Sequence, residues 1–337
     1  MNKIFSILFI SLALIFVACK TNTKPDISKV KVKLEVLRFE KDLMKIDSSN
    51  YDQAFKEVDA KYPDFFSFYL KAVARVIPYE DTTISKDTLL HYLNDSYIKY
   101  VSDSVKNMYN NIDDIEKDLT LAFRYYKHYY PNNEIPTIVT YIDGPPYGLT
   151  YENILGIGLD GYMGEKFQPY IQIPEPIPAY ALRKFNKNYM VANTMNVLAS
   201  AMYPFDVNSH NLLESMIAKG KNFYFMKLMM PDVADSIILG YPEKTIKWLN
   251  ENESEIWKFF VKNKLLYETD PLVFAKFVND GPNTSGMPAE APGNIGSWLG
   301  YKIVMKYLDK YPDINLQAFM QNMTAQQILT DSKYKPL

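Results

Sequence analysis

One cysteine and three histidines are all the thiol and imidazole chemistry in this chain of 337 residues. The single cysteine, Cys19, excludes any disulfide within the chain. His91, His128 and His210 lie 37 and 82 residues apart, so no two share a helical turn, and H-E-x-x-H is absent. An excess of one charge is missing too: 37 Lys and Arg face 39 Asp and Glu, a net charge of −2. That balance leaves no broad basic face for nucleic acid and no polybasic membrane patch. Neither G-x-S-x-G nor G-x-x-x-x-G-K-[ST] occurs, which excludes a nucleophile elbow and a P-loop.

The one long apolar run is Ile4–Ala18, 15 residues without charge behind Lys3. As a helix it is about 22 Å long, short of the roughly 20 residues a bilayer core requires. A short apolar stretch behind a basic start reads as a secretory signal. It ends Phe16-Val17-Ala18-Cys19, which resembles the lipobox read by bacterial lipoprotein signal peptidase, with Phe16 where Leu is usual. We therefore expect cleavage before Cys19, a signal peptide over 1–18 and lipid on Cys19. Residues 19–29, polar after the cysteine, read as a flexible tether with a reach of about 17 Å. Removing 1–18 takes away Lys3 alone, leaving 36 basic against 39 acidic residues. The rest, 30–337, is expected to form one globular domain. It has to hold itself by its core, and 47% of the chain is hydrophobic.

Val30–Phe39 alternates, with Val32, Leu34 and Val36 opposite Lys31, Lys33 and Glu35, and predicts a half-buried strand. Ile135–Ile142 and Ile154–Leu159 predict two more. Helical spacing covers Tyr51–Ile77, interrupted at Pro63, and Asp113–Tyr130, where Asp113 and Glu116 suggest a capping box. It returns over Asn188–Tyr203, Asn208–Met229, Pro242–Lys262, Pro292–Tyr311 and Asn315–Asp331. In Pro242–Lys262 the core stripe is Ile246, Leu249, Ile256 and Phe260. The expected fold is α+β, mainly helical with a small sheet.

Gly156-Ile157-Gly158-Leu159-Asp160-Gly161 matches G-x-G-x-x-G after a strand. A dinucleotide site needs a helix opening at the third glycine, and the prolines of FQPYIQIPEPIP after Gly164 forbid one. The expected structure is a strand ending in tight turns. Ser297 sits early in an amphipathic helix. Asp113, Asp114, Glu251, Glu253 and Glu255 read as solvated charge. The aromatic runs Phe123–Pro131 and Asn222–Pro231 read as core, with a recognition surface as the other possibility.

At YENILGIGLDGYMG and NLLESMIAKGKNFYFMKLMMPDV the chain resembles the gliding motility lipoprotein GldB family of the Bacteroidetes. Trp248–Asp270, Ala291–Leu308 and Ile328–Pro336 agree in order, and Leu34–Asp47 and Lys61–Leu70 fit the N-terminal part. The resemblance implies a lipoprotein tied to gliding, in organisms whose gliding depends on type IX secretion. It also implies a distant likeness to a zincin-like metalloprotease scaffold, in which one helix carries H-E-x-x-H and a later one Glu followed by Gly. Here NYMVANTMNVLASAMY has no His and no acid, and the later pair is Lys219-Gly220. A protonated lysine repels zinc, so the scaffold is expected without the chemistry.

The sequence thus predicts a non-catalytic envelope lipoprotein. It would be attached through Cys19 to the cell membrane or outer membrane, with its domain in the periplasm and protein partners in the gliding or secretion apparatus. We assign no catalytic, metal or cofactor-binding residue and no cofactor. Two alternatives stand beside this. One is a metal-dependent hydrolase with non-standard ligands, His210 and Glu214, four apart on a helix face. The other is a glycan or peptide binder using Tyr125, Tyr126, Tyr129 or Phe223.

Overall fold

The computed structural model describes residues 24–336 except 82, 173, 174, 207 and 209. The signal segment and Cys19 lie outside the described residues. Four strands, β1 (Val36–Arg38), β2 (Thr137–Tyr141), β3 (Leu149–Tyr151) and β4 (Ile154–Gly158), form a sheet of order β1-β2-β4-β3. β1, β2 and β4 run parallel and β3 is antiparallel to β4. Around them stand α1 (Tyr51–Lys61), α2 (Lys86–Asn94), α3 (Ser96–Met108), α4 (Asp113–Tyr129), α5 (Met190–Met202) and α6 (Leu212–Met229). The remaining longer helices are α7 (Glu243–Glu251), α8 (Glu253–Lys262), α9 (Pro271–Val278), α10 (Ile295–Lys310), α11 (Leu316–Asn322) and α12 (Ala325–Ser332). The mainly helical α+β class is as expected.

The sheet divides two hydrophobic clusters. Ile138, Leu155 and Ile157 face the large helical core, whereas Val139 and Tyr141 face a smaller N-terminal one. In the smaller cluster Phe39 meets Tyr62, Phe65 and Tyr69 edge-on at ring separations of 5.0, 5.2 and 4.8 Å, the geometry that ring quadrupoles favour. The large core centres on the crossing of α6 and α10. A Cβ on Gly300 would collide with the Met216 carbonyl, and one on Gly220 would lie 2.5 Å from Gly300 carbon. Two glycines therefore let two helix backbones touch.

Several boundaries differ from expectation. Burial alternates from Lys31 to Val36 as predicted, but ladder hydrogen bonds cover only Val36–Arg38, because the strand pairs β2 along three residues. No capping box forms at Asp113 and Glu116. Ile112 is the N-cap, and Asn111 Oδ1 accepts from the Asp113 N–H at 2.7 Å instead. The Pro242–Lys262 run breaks at Asn252, whose side-chain amide donates to the Trp248 carbonyl at 2.8 Å and competes with the helix ladder. Asn315–Asp331 splits at Thr324, which forms a capping box with Gln327. The predicted start of α6 at Asn208 moves to Leu212, after a capping box of Asn211 and Glu214. β3 was not anticipated, since Leu149–Tyr151 is too short to show a period.

Arg124 on α4 clasps the end of the expected tether, donating from Nη2 to the Ile27 carbonyl within it at 2.6 Å and from Nε to the Val30 carbonyl just beyond it at 3.0 Å. Ile27 itself is buried. Among the described residues no helix is long and apolar enough to cross a membrane.

Candidate functional site

Apart from His210 and Glu214, which line one cleft, the residues singled out from the sequence do not converge. The G-x-G-x-x-G run forms β4 and a 3-10 turn, Leu159–Tyr162. Its glycines serve packing: a Cβ on Gly156 or Gly158 would come within 2.9 or 3.0 Å of the Tyr141 ring, and Gly161 abuts the Pro146 backbone. Two glycines at strand period thus make a flat face for one tyrosine. Ser297 is fully buried and its hydroxyl points to the Val278 carbonyl at 3.4 Å. Asp113, Asp114, Glu251 and Glu255 are exposed as expected. Glu253 is not; the break at Asn252 turns it inward, where it accepts from Tyr334 at 2.7 Å and pairs with Lys302 at 3.0 Å.

His210 and Glu214 do not share a helix face. His210 precedes α6, its Nδ1 2.7 Å from the Asp206 carbonyl oxygen and its ring 4.5 Å from that of Phe205. Glu214 is held in the cap, where its Oε2 accepts from the Asn211 N–H at 2.8 Å. Among the described residues no three His, Cys, Asp or Glu side chains are grouped to hold a metal ion. Of the aromatic runs, Phe123, Tyr125, Tyr126, Tyr130, Phe225 and Met226 are core, while Tyr129 and Phe223 are half-buried.

Two places with chemical potential were missed. The first is at the carboxyl ends of parallel strands β2 and β4. Asp143 donates its N–H to Asp160 Oδ2 at 3.0 Å and accepts from the Tyr92 hydroxyl at 3.1 Å. Asp160 Oδ1 is buried with no partner among the described residues. Burial pushes the Asp160 pKa up to about 7, opposed by the Asp143 N–H and reinforced by the Asp143 charge. Burial also raises Asp143, with the Tyr92 hydroxyl opposing. The available signal was position: each acid directly follows an apolar strand, in YID and GLD.

The second is a groove between α5 and α6, closed by α9 and the start of α10. It has two halves of about 530 and 330 Å³ that share Asn196, Lys219, Asn222, Val278 and Asn279. Helical spacing builds it: Asn193, Asn196 and Ser200 lie at steps of three and four on α5, as do Lys219, Asn222 and Met226 on α6. Asn222 Nδ2 donates to Ser200 Oγ at 3.1 Å, tying the helices across the groove. Lys184 pairs with Asp280 at 2.6 Å. Lys219 retains solvent access, yet the surrounding walls desolvate its ammonium and lower its pKa, with Asp280 opposing and Lys184 adding to the drop. A concave wall excludes bulk water without covering the atom, so exposure and desolvation coexist. Among the described residues buried Asn294 Oδ1 has no hydrogen-bond partner, whereas the Asn193 side chain hydrogen-bonds with Tyr162; both asparagines line the smaller half.

Together these features define a mainly helical α+β protein that carries a polar groove between two of its helices. The chain belongs to the family described as gliding motility protein GldB, whose model matches residues 20–336. It is accordingly a gliding motility protein, and the family's lipoprotein designation points to membrane association. No curated protein and no solved structure matches the chain. The zincin-like scaffold implied by the sequence resemblance therefore finds no support. In place of its H-E-x-x-H helix stands α5, and Gly220 after Lys219 is explained by the crossing with Gly300.

Proposed function

We propose that this chain is a non-catalytic cell-envelope lipoprotein of the gliding motility and type IX secretion machinery, acting through protein contacts. The family match over residues 20–336 carries this reading. In it, Cys19 bears the lipid, residues 19–29 tether the domain, and 30–337 works as one folded body in the periplasm. Such a role requires surfaces rather than a reaction centre, and the His210–Glu214 geometry offers no helical ligand pair. The test is replacement of the chromosomal copy by Cys19→Ala, scored for fatty-acid labelling, membrane fractionation and spreading of cells on agar. All three should be lost. A purified chain that hydrolyses peptides in a chelator-sensitive way, or a Cys19→Ala strain that still labels with fatty acid, would overturn the respective half of the proposal.

A further inference from the structure

The N-terminal segment enters the fold beside an apolar cleft. This cleft, of about 420 Å³, lies between α4, the start of α5 and the end of α6. Its floor includes Ala122, Ala192, Met229 and Met230, all buried, and its lip includes Leu121, Val191 and Ile237, which stay partly exposed. The charges at its edge neutralise one another: Asp114 pairs with Lys187, and Asp232 pairs with Lys24. Its one lining cation, Lys187, is thus taken, and none is left to receive an anion. Among the described residues, no buried polar atom without a partner lines the cleft. A polar ligand has nothing to bond there, whereas a hydrocarbon covers apolar floor and lip together. The volume is that of an ordinary ligand site.

Three contacts bring the N-terminal segment to this place. Lys24 reaches Asp232 on the edge of the cleft. Arg124, three residues along α4 from Leu121, holds the carbonyls of both Ile27 and Val30. Cys19 precedes Lys24 by five residues, so at most about 17 Å of extended chain separates it from that edge.

We propose that this cleft takes one alkyl chain of the lipid on Cys19 and shields it from water when the protein is out of a bilayer. This occupant rests on the lipoprotein reading above, which supplies the lipid. Attachment favours the protein's own lipid over a free one, because a tethered chain is present at an effective concentration on the order of millimolar. Each methylene covered strengthens the docked form, by the same gain that draws the chain into a bilayer. The other clefts suit a hydrocarbon less. The α5–α6 groove is lined by Asn196, Lys219 and Asn222, and that of His210 by Glu214 and Lys221.

The test uses the lipidated full chain. Cells are fed palmitic acid carrying a diazirine in mid-chain, and the protein is purified in octyl glucoside. It is then diluted below the micelle threshold and irradiated, and the adducts are mapped by mass spectrometry. The lipid on Cys19 should be joined, within the same chain, to Leu121, Val191, Met230 or Ile237. Leu121→Asp places a charge on the exposed lip and should cut the yield of these adducts at least fivefold without moving the urea midpoint. Val191→Asp, across the cleft on α5, should do the same. Leu272→Asp, at an exposed position on α9, should leave the yield unchanged. The Cys19→Ala strain, fed the same acid, should give no cleft adduct; one found there shows a free lipid in the cleft and overturns the proposal. Adducts that join two chains, or a yield that survives both lip substitutions, overturn it as well. Label on Cys19 without cleft adducts defeats this inference alone, whereas a chain with no label on Cys19 defeats the lipoprotein reading with it.

Discussion

Two lysines two residues apart on α6 show how differently one helix treats its two sides. Lys221 is buried and its ammonium donates to the carbonyls of Met320 at 3.1 Å and Met323 at 2.9 Å, at the carboxyl end of α11. Burial holds its pKa down at about 8. Lys219 lies in the groove with no such partner. Gly220, between them, sits on the α10 backbone. The charge that closes the fold is fully paired; the charge that faces the groove is left open. The contrast is the same one that separates a core from a site, drawn across three consecutive residues.

The contrast breaks first at the glycine crossing. Gly300→Ala would stabilise an ordinary helix interior by about 1 kcal/mol. Here the added Cβ meets the Met216 carbonyl, so we expect destabilisation by about 3 kcal/mol, seen as a lower urea midpoint. The next largest effect should have the opposite sign. Asp160 has a raised pKa when folded, so its contribution to stability is present below about 4 and is lost as pH rises through about 7. Asp160→Asn keeps the acceptor for the Asp143 N–H and removes the titration. It should stabilise by about 2 kcal/mol at pH 8 and markedly less at pH 5, as measured by urea unfolding at both pH values.

Removing Lys221 tests the paired side of α6. Lys221→Met leaves two carbonyls without their donor and should cost about 1–2 kcal/mol at pH 7. The folded pKa lies below the unfolded one, so the unfolded chain binds more protons between about 8 and 10.5 and the native state gains with rising pH there. Wild type should therefore gain stability over the Lys221→Met variant between pH 7.5 and 9.5. Lys219→Met sharpens the other side. Having no partner to orphan, it should change stability by less than about 0.5 kcal/mol, or raise it slightly, in the same denaturation assay. A loss as large as that of Lys221→Met would show that both lysines are structural.

Much of the fold was legible because apolar period survives in single residues. Ile138, Leu155 and Ile157 marked their strands, and Ile115, Leu119 and Ala122 marked α4. What misled was local polar competition. Asn252 and Thr324 each divert a backbone group that the hydrophobic pattern assigns to a continuous helix, Asn111 takes the capping contact expected of Asp113, and a pattern of apolar residues is blind to both. The groove was hidden for a different reason. Asn193 and Asn196 look like weak helix formers in an apolar run, and Lys219 looks like surface. Only the crossing at Gly220 and Gly300, which fixes the rotation of α6, decides that Lys219 turns toward α5. The Gly156–Gly161 motif forms the expected strand and tight turn, but its steric purpose needed the position of Tyr141, about fifteen or more residues away in the chain.

The Arg124 clasp on Ile27 and Val30 takes on a mechanical meaning if the chain is hauled by its lipidated end. Tension entering at residue 27 meets the guanidinium before it reaches β1, whose three-residue ladder would otherwise be the first thing loaded. Arg124 hands that force to the middle of α4, a 17-residue helix rooted in the large core. Two charge-assisted hydrogen bonds of about 1.5–3 kcal/mol each then act as a strain relief, like the collar on a cable where it enters its housing.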